Sequence, residues 1–202
     1  MIVMKFGGSS VANAERIRYV TGIVKPLLDQ KPVLVLSAMG DTTDHLLEAA
    51  DLALKGMVSI EKIENLHKQT IKDLGLDAQV LQEVDALLSE LKSLLVGISL
   101  IKELTNRTKD YLVSFGERLS IRIAASYFRT AGIKAKALDA WDAGFRSDAN
   151  YSQAEVLSEA WESIAKTLIP LVDSGVLPVV TGFIAKDPQG NITTLGRGGS
   201  DL

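Results

Sequence analysis

Apolar positions along the 202-residue chain follow two rhythms. Ile2-Val3-Met4-Lys5-Phe6 is a short apolar run halted by Gly7-Gly8, the pattern of a buried strand feeding a tight loop. Residues 12–28 then carry Ile17, Val20, Val24, Leu27 and Leu28 at helical spacing, with Ser9-Ser10 offering N-cap hydroxyls. Pro32-Val33-Leu34-Val35-Leu36 is a continuous apolar run of the kind found inside parallel sheets. Strand, helix and strand in that order predict a βαβ unit with a right-handed crossover.

Residues 42–131 contain no convincing strand. Ile60, Ile63, Leu66, His67, Ile71 and Leu74 recur at helical spacing up to Gly75, and Val80 through Leu95 do so up to Gly97. A further helix is predicted over 112–127, with Phe115-Gly116-Glu117 at its head. The leucine stripes of this helical block read as core packing rather than as a coiled-coil surface. Strand signals return at 134–138 and 176–181, separated by a helical pattern at 154–171 that Asp173-Ser174-Gly175 ends. Residues 183–186 and 191–195 alternate around Asp187-Pro188-Gln189-Gly190, a hairpin signal. The expected architecture is α/β, with helices on both faces of a mainly parallel sheet.

Composition narrows the function classes. Lys+Arg 22 against Asp+Glu 25 gives a net charge of −3, which argues against a nucleic-acid partner held by phosphate neutralisation. Cysteine is absent, excluding a disulfide scaffold, a thiolate metal site and a cysteine nucleophile. The two histidines read as a loop side chain (His45) and a helix-face packing residue (His67), so no metal site is expected. Charged residues interrupt every apolar run before it could span a bilayer, and no basic leader precedes the first apolar stretch. A cytoplasmic protein with no membrane partner is expected. A single core of this size buries about 70 % of the unfolded chain's surface and needs no staple. The last stretch, Gly196-Arg197-Gly198-Gly199-Ser200-Asp201, finishes in two N-cap residues with only Leu202 beyond, so the chain is expected to be a fragment whose next element lies outside it.

Two glycine-rich loops at strand ends are the candidates for chemistry. Lys5-Phe6-Gly7-Gly8-Ser9-Ser10 matches neither the P-loop nor Gly-x-Gly-x-x-Gly. Its glycines would admit close backbone approach, a following helix would present unpaired N–H groups to an anion, and Lys5 would add a full charge. The alternative is a plain strand-to-helix turn with a solvated lysine. In the second loop Arg197 suits a bidentate hold on a carboxylate; the alternative is a mobile tail. Ser37 to Thr43 follow the second strand, and the carboxyl ends of parallel strands are where ligands gather. Glu117 could accept from a substrate ammonium or simply offset a helix dipole. Asp139, Asp142 and Asp148, near Trp141 and Phe145, read as solvated loop carboxylates, with a ligand-rim role as the sharper option.

Four segments carry a resemblance: Lys-Phe-Gly-Gly-Ser-Ser-Val at 5–11, Val-Leu-Ser-Ala-Met at 35–39, Ser-Phe-Gly-Glu-Arg-Leu-Ser at 114–120 and Thr-Leu-Gly-Arg-Gly-Gly-Ser-Asp at 194–201. They resemble, in order and across the whole chain, the signature segments of aspartate kinases. Gly97-Ile98-Ser99-Leu100 also resembles the long-insert members of that family. The resemblance implies the N-terminal part of an amino-acid kinase fold, a three-layer α/β/α arrangement with a helical insertion at about 42–131. It implies transfer of the ATP γ-phosphoryl group to the side-chain carboxylate of L-aspartate, giving 4-phospho-L-aspartate, the step that opens lysine, threonine and methionine synthesis. By position, Lys5 and Asp201 would be catalytic; Lys5, Gly7, Gly8, Ser9 and Ser37 would face ATP; Ser37, Thr43, Glu117, Arg197, Gly199 and Ser200 would hold aspartate. Mg²⁺ would arrive on the nucleotide. The family's C-terminal kinase part and ACT regulatory domains are not in this chain, and the full-length protein would be a homo-oligomer. The rival readings are a glutamate or acetylglutamate kinase of the same superfamily, or a non-catalytic aspartate-binding module; the missing dinucleotide fingerprint leaves an oxidoreductase well behind.

Overall fold

The computed structural model describes residues 1–196; Arg197, Gly199, Ser200 and Asp201, all expected to act in the site, lie outside the described residues. Among the described residues there are six α-helices and six strands, with a block of helices between the second and third strands where the sequence shows no strand pattern. Strand β1 (Ile2–Phe6) leads through helix α1 (Ala14–Val24) to β2 (Pro32–Leu36). Helices α2 (Thr42–Leu54), α3 (Glu61–Leu74), α4 (Ala78–Ile101) and α5 (Asn106–Thr130) follow without a strand between them. Then come β3 (Ala135–Leu138), α6 (Ala160–Asp173), β4 (Leu177–Thr181) and a hairpin of β5 (Ile184–Lys186) and β6 (Ile192–Thr194).

Four strands form a wholly parallel sheet in the order β1-β2-β4-β3, and β5-β6 is a separate antiparallel pair. Alternation along each strand sorts side chains to two faces. Leu34, Leu36 and Val179 join the large core under α1 and the helical block, whereas Val33 and Val180 pack with Leu168 and Val172 of α6 in a smaller one. Pairing of Phe6 with Leu36 and of Leu36 with Thr181 brings the carboxyl ends of β1, β2 and β4 to a single edge. The loops expected to carry chemistry leave from there.

Several local expectations are corrected. Ser9-Ser10 do not cap α1: they belong to a 3-10 turn (Gly8–Ser10), and the cap is Asn13, whose side chain accepts from the Arg16 N–H at 3.0 Å. Asn13 wins because its short carboxamide reaches the orphan N–H three residues on. The helix expected over 154–171 starts later, at Ala160, because 148–159 is held in turns by Asp148, which accepts from Asn150 N–H and Glu155 N–H. His45 lies in α2 rather than in a loop. His67 is fully buried on α3, as its spacing predicts, with Nδ1 2.7 Å from the Ile63 carbonyl oxygen. Burial lowers its pKa from 6.5 to about 4.

Candidate active site

The glycine loop after β1 and the loop after β2 are stitched together. Ser37 N–H donates to the Phe6 carbonyl at 3.1 Å and Gly40 N–H to the Gly8 carbonyl at 3.1 Å. A Cβ on Gly8 would stand 2.9 Å from the Ala38 oxygen and 3.1 Å from the Gly40 oxygen, so this glycine is demanded by the crossing of two backbones. Gly7 differs: a Cβ there would meet nothing within 4 Å, and the residue is exposed. Its freedom is on the open side of the loop, where a ligand backbone or phosphate could approach. Ser9 is exposed beside it, and Ser37 is half-buried.

Lys5 is exposed and lies on the α6 side of the sheet, lining a groove of about 280 Å³ with Val3, Val35 and Trp161. Glu117 approaches the same strand ends from the other side. It does not head a helix, as its sequence surroundings suggest, but sits midway along α5 and is buried, so a dipole-offsetting role is excluded. The helix comes this close because residue 116 is glycine: a Cβ there would stand 2.6 Å from the Ala38 Cβ. Glu117 Oε1 accepts from the Ala38 N–H at 3.2 Å, while Oε2 is buried with no hydrogen-bond partner among the described residues. Burial raises its pKa from 4.5 to about 8 against the pull of the backbone N–H donors. A carboxyl in that condition is a receptor for a cation, since a positive group beside Oε2 would draw it into its ionised form. Thr43, half-buried in the first turn of α2, follows the Ala38 loop. Lys5, Gly7, Gly8, Ser9, Ser37, Thr43 and Glu117 thus gather around the ends of β1 and β2.

Asp139 is not a solvated loop carboxylate. It is buried at the end of β3 and receives a two-pronged hold from Arg122, Nη1 to Oδ1 and Nη2 to Oδ2, each at 3.0 Å. Only Asp142 fits the solvated description, since Asp148 organises its turn. Arg122 and Asp110, the latter also buried, escaped sequence reading because polar residues in a helical pattern are assigned to its solvent face until the neighbouring segments are known. The described residues bring no three His, Cys, Asp or Glu side chains together around a cation. Those residues form no protein cage for Mg²⁺.

Relatives share this framework. Aspartokinase 1, chloroplastic, of Arabidopsis thaliana is 46 % identical over 99 % of the chain and 36 % of its own length. The aspartokinase of Geobacillus stearothermophilus is 30 % identical over the whole chain and 37 % of its own length. The chain therefore spans little more than a third of these relatives. Among solved structures, E. coli aspartokinase III in complex with aspartate and ADP superposes with a TM-score of 0.86 at 28 % identity, over all of this chain and 44 % of that one. No described helix is long and apolar enough to cross a membrane. A family model described as the amino acid kinase family matches residues 1–202, and the chain belongs to that family.

Proposed function

We propose that residues 1–202 are the N-terminal part of the catalytic domain of an aspartate kinase, which phosphorylates the side-chain carboxylate of L-aspartate with ATP. The observation that carries the reading is Glu117, a buried carboxyl with one unpartnered oxygen, beside two loops at the carboxyl end of a parallel sheet. The aspartokinase relatives support the substrate, and the ADP in the E. coli structure supports the nucleotide. In this reading Glu117 pairs with the substrate ammonium, Thr43 and Ser37 flank it, and Arg197 and Ser200 hold carboxylate oxygens. Gly7, Gly8 and Ser9 receive the ATP phosphates through backbone N–H groups. Lys5 offsets the charge that spreads over the transferring phosphoryl oxygens, and Asp201 orients Lys5. The nucleophile is the substrate's own carboxylate, already ionised at neutral pH. The protein therefore contributes alignment and positive charge rather than a base. Mg²⁺ would come with the nucleotide and neutralise part of its charge.

The reading extends to a longer protein in which the second part of the kinase domain and ACT regulatory domains follow this chain and the whole is a homo-oligomer that opens lysine, threonine and methionine synthesis. The expected location is the cytoplasm; the three Arabidopsis relatives are described as chloroplastic, which makes a plastid the second compartment to test.

Calorimetric titration of L-aspartate into the chain, with L-glutamate and N-acetyl-L-glutamate as controls, tests the substrate. Saturable binding of aspartate alone is expected. Preference for glutamate or its acetylated form would move the chain to another carboxylate kinase of the superfamily. Silence towards all three, both here and in a longer chain, would remove the acidic-amino-acid reading.

A further inference from the structure

Away from the loops at the ends of β1 and β2, a cavity of about 460 Å³ lies between α4, α5, the turn after β3 and the β5-β6 hairpin. That volume falls in the roughly 300–1,000 Å³ range of small-molecule sites. None of the residues gathered around Glu117 and the glycine loop lines it. Its wall carries three cations, Arg107, Arg118 and Lys186, against one carboxylate, Glu90. This local excess runs against the chain's net charge of −3.

The cations are held in ways that leave charge to spare. Glu90 is already engaged, since Oε1 accepts the Tyr111 hydroxyl and Oε2 accepts from Arg118 Nη2 at 3.3 Å. The Arg118 side chain is 11 % exposed, with its guanidinium carbon 4.9 Å from the Phe115 ring centre and 5.9 Å from that of Trp141. Its Nε and Nη1 are buried with no hydrogen-bond partner among the described residues. Asp139 Oδ2 stands 4.0 Å from Nε and is held by Arg122 instead. Lys186 Nζ lies 4.2 Å from the Trp141 ring centre, a contact that fixes an ammonium without neutralising it. Arg107 is exposed. Neither Lys186 nor Arg107 has a carboxylate within ion-pair distance among the described residues. Asp187, next to the wall residue Asn191 through hydrogen bonds, is taken up by Tyr151, Gln189 and Asn191. Leu94 and Ile192 add apolar wall beside these charges.

We propose that this cavity binds a small multivalent oxyanion, one carrying two or more carboxylate or phosphate groups, at Lys186, Arg107 and Arg118. The proposal is independent of the aspartate-site reading. Lys186 and Arg107 come from different elements, β5 and α5, and each lacks a counter-ion, so two negative groups gain two charge-assisted contacts where one gains a single contact. Trp141 and Glu90 hold Lys186 and Arg118 in place beforehand, so little side-chain freedom is lost when the anion enters.

The chain's two tryptophans distinguish the sites, because Trp141 lines this cavity whereas Trp161 lines the groove that contains Lys5. The test titrates Trp161→Phe, in which Trp141 is the reporter, with citrate for carboxylates and inorganic pyrophosphate for phosphates. Ionic strength is held constant, and acetate is the monovalent control. A saturable change in Trp141 emission is expected with citrate, pyrophosphate or both, since an anion draws the Lys186 ammonium away from the ring. The tighter of the two probes identifies the oxyanion. In the same background Lys186→Gln is expected to weaken binding about tenfold or more. Arg107→Gln is expected to weaken it about threefold, and as an exposed change it keeps the test decisive if Lys186→Gln does not fold. No saturable response of Trp141 to either probe would overturn the proposal. So would a response that acetate reproduces, or one that both substitutions leave unchanged. Heat of binding that survives both substitutions and moves only Trp161 emission in Trp141→Phe would place the anion at the Lys5 groove and equally end the proposal.

Discussion

Glu117 concentrates the residue-scale chemistry. In the unfolded chain it ionises near 4.5, whereas in the fold burial keeps it protonated up to about 8. Between those values the unfolded state has released a proton that the folded state retains, so stability falls as pH rises through the window. The slope is about 1.4 kcal/mol per pH unit, with a total of up to roughly 4 kcal/mol by pH 8. His67 acts in the opposite sense at lower pH: folded, it stays neutral down to about 4, so stability falls as pH drops from 6.5. Comparing wild type with Glu117→Gln cancels the histidine. The midpoint advantage of Glu117→Gln over wild type is expected to widen steadily from pH 5 to pH 8 in thermal unfolding. A gap that stays constant across that range would mean Glu117 titrates as an ordinary carboxyl in the fold.

At the scale of elements, α5 is the member that organises the rest. It carries Asp110 against the hairpin, Glu117 against the Ala38 loop and Arg122 against the end of β3. Each contact ties the helix to a segment that leaves the same edge of the sheet or lies next to it. The Arg122–Asp139 pair is sensitive because Asp139 is buried and its other cation, Arg118, stands farther off at 4.0 Å. Arg122→Met leaves that carboxylate without its two-pronged partner and is expected to cost about 3 kcal/mol in denaturant unfolding. A paired Arg122→Met, Asp139→Leu variant should recover much of the loss, because the buried carboxylate leaves with its partner and Arg118 keeps Glu90 at 3.3 Å. Equal losses in the single and double variants would show that packing of the arginine stem, not the charge pair, is what matters.

For the whole molecule, the asymmetry of the two sheet faces is decisive. The α5 face is closed by the helical block, whereas the α6 face leaves the β1 side open. Met1 and Val3 are 67 % and 66 % exposed, and across the groove Trp161 and Ile169 of α6 are 52 % and 44 % exposed. β1 is also a terminal strand of the described sheet, so an unpaired ladder edge adjoins an apolar patch. The isolated 202-residue chain is expected to self-associate with rising concentration, and Val3→Lys, which charges that edge, to shift it towards monomer in light scattering after size exclusion. Identical mass distributions for the two would acquit this edge. A longer chain or a partner copy lying over β1 would bury the same patch.

Much of this was legible from the order of residues. Continuous apolar runs determined β2 and β4, because a strand buried on both faces has no room for polar alternation. β1 was legible as a short run stopped by Gly7-Gly8, but it is not the buried strand its pattern suggests, since Val3 and Lys5 face outward on the side that no helix covers. The strandless stretch of 42–131, the hairpin around Asp187 and the gathering of Gly7, Gly8 and Ser37 at one edge likewise follow from local pattern and the handedness of the crossover. Tertiary structure alone decided which polar residues were structural and which were poised for a ligand. Glu117, Asp139 and Asp110 are three acidic side chains that composition cannot separate. One is packed beside a glycine crossing with an oxygen to spare, one is gripped by an arginine, and one is clasped by four donors. The cost of burying a carboxylate depends on the partners brought to it, and those partners lie 17 to 84 residues away along the chain.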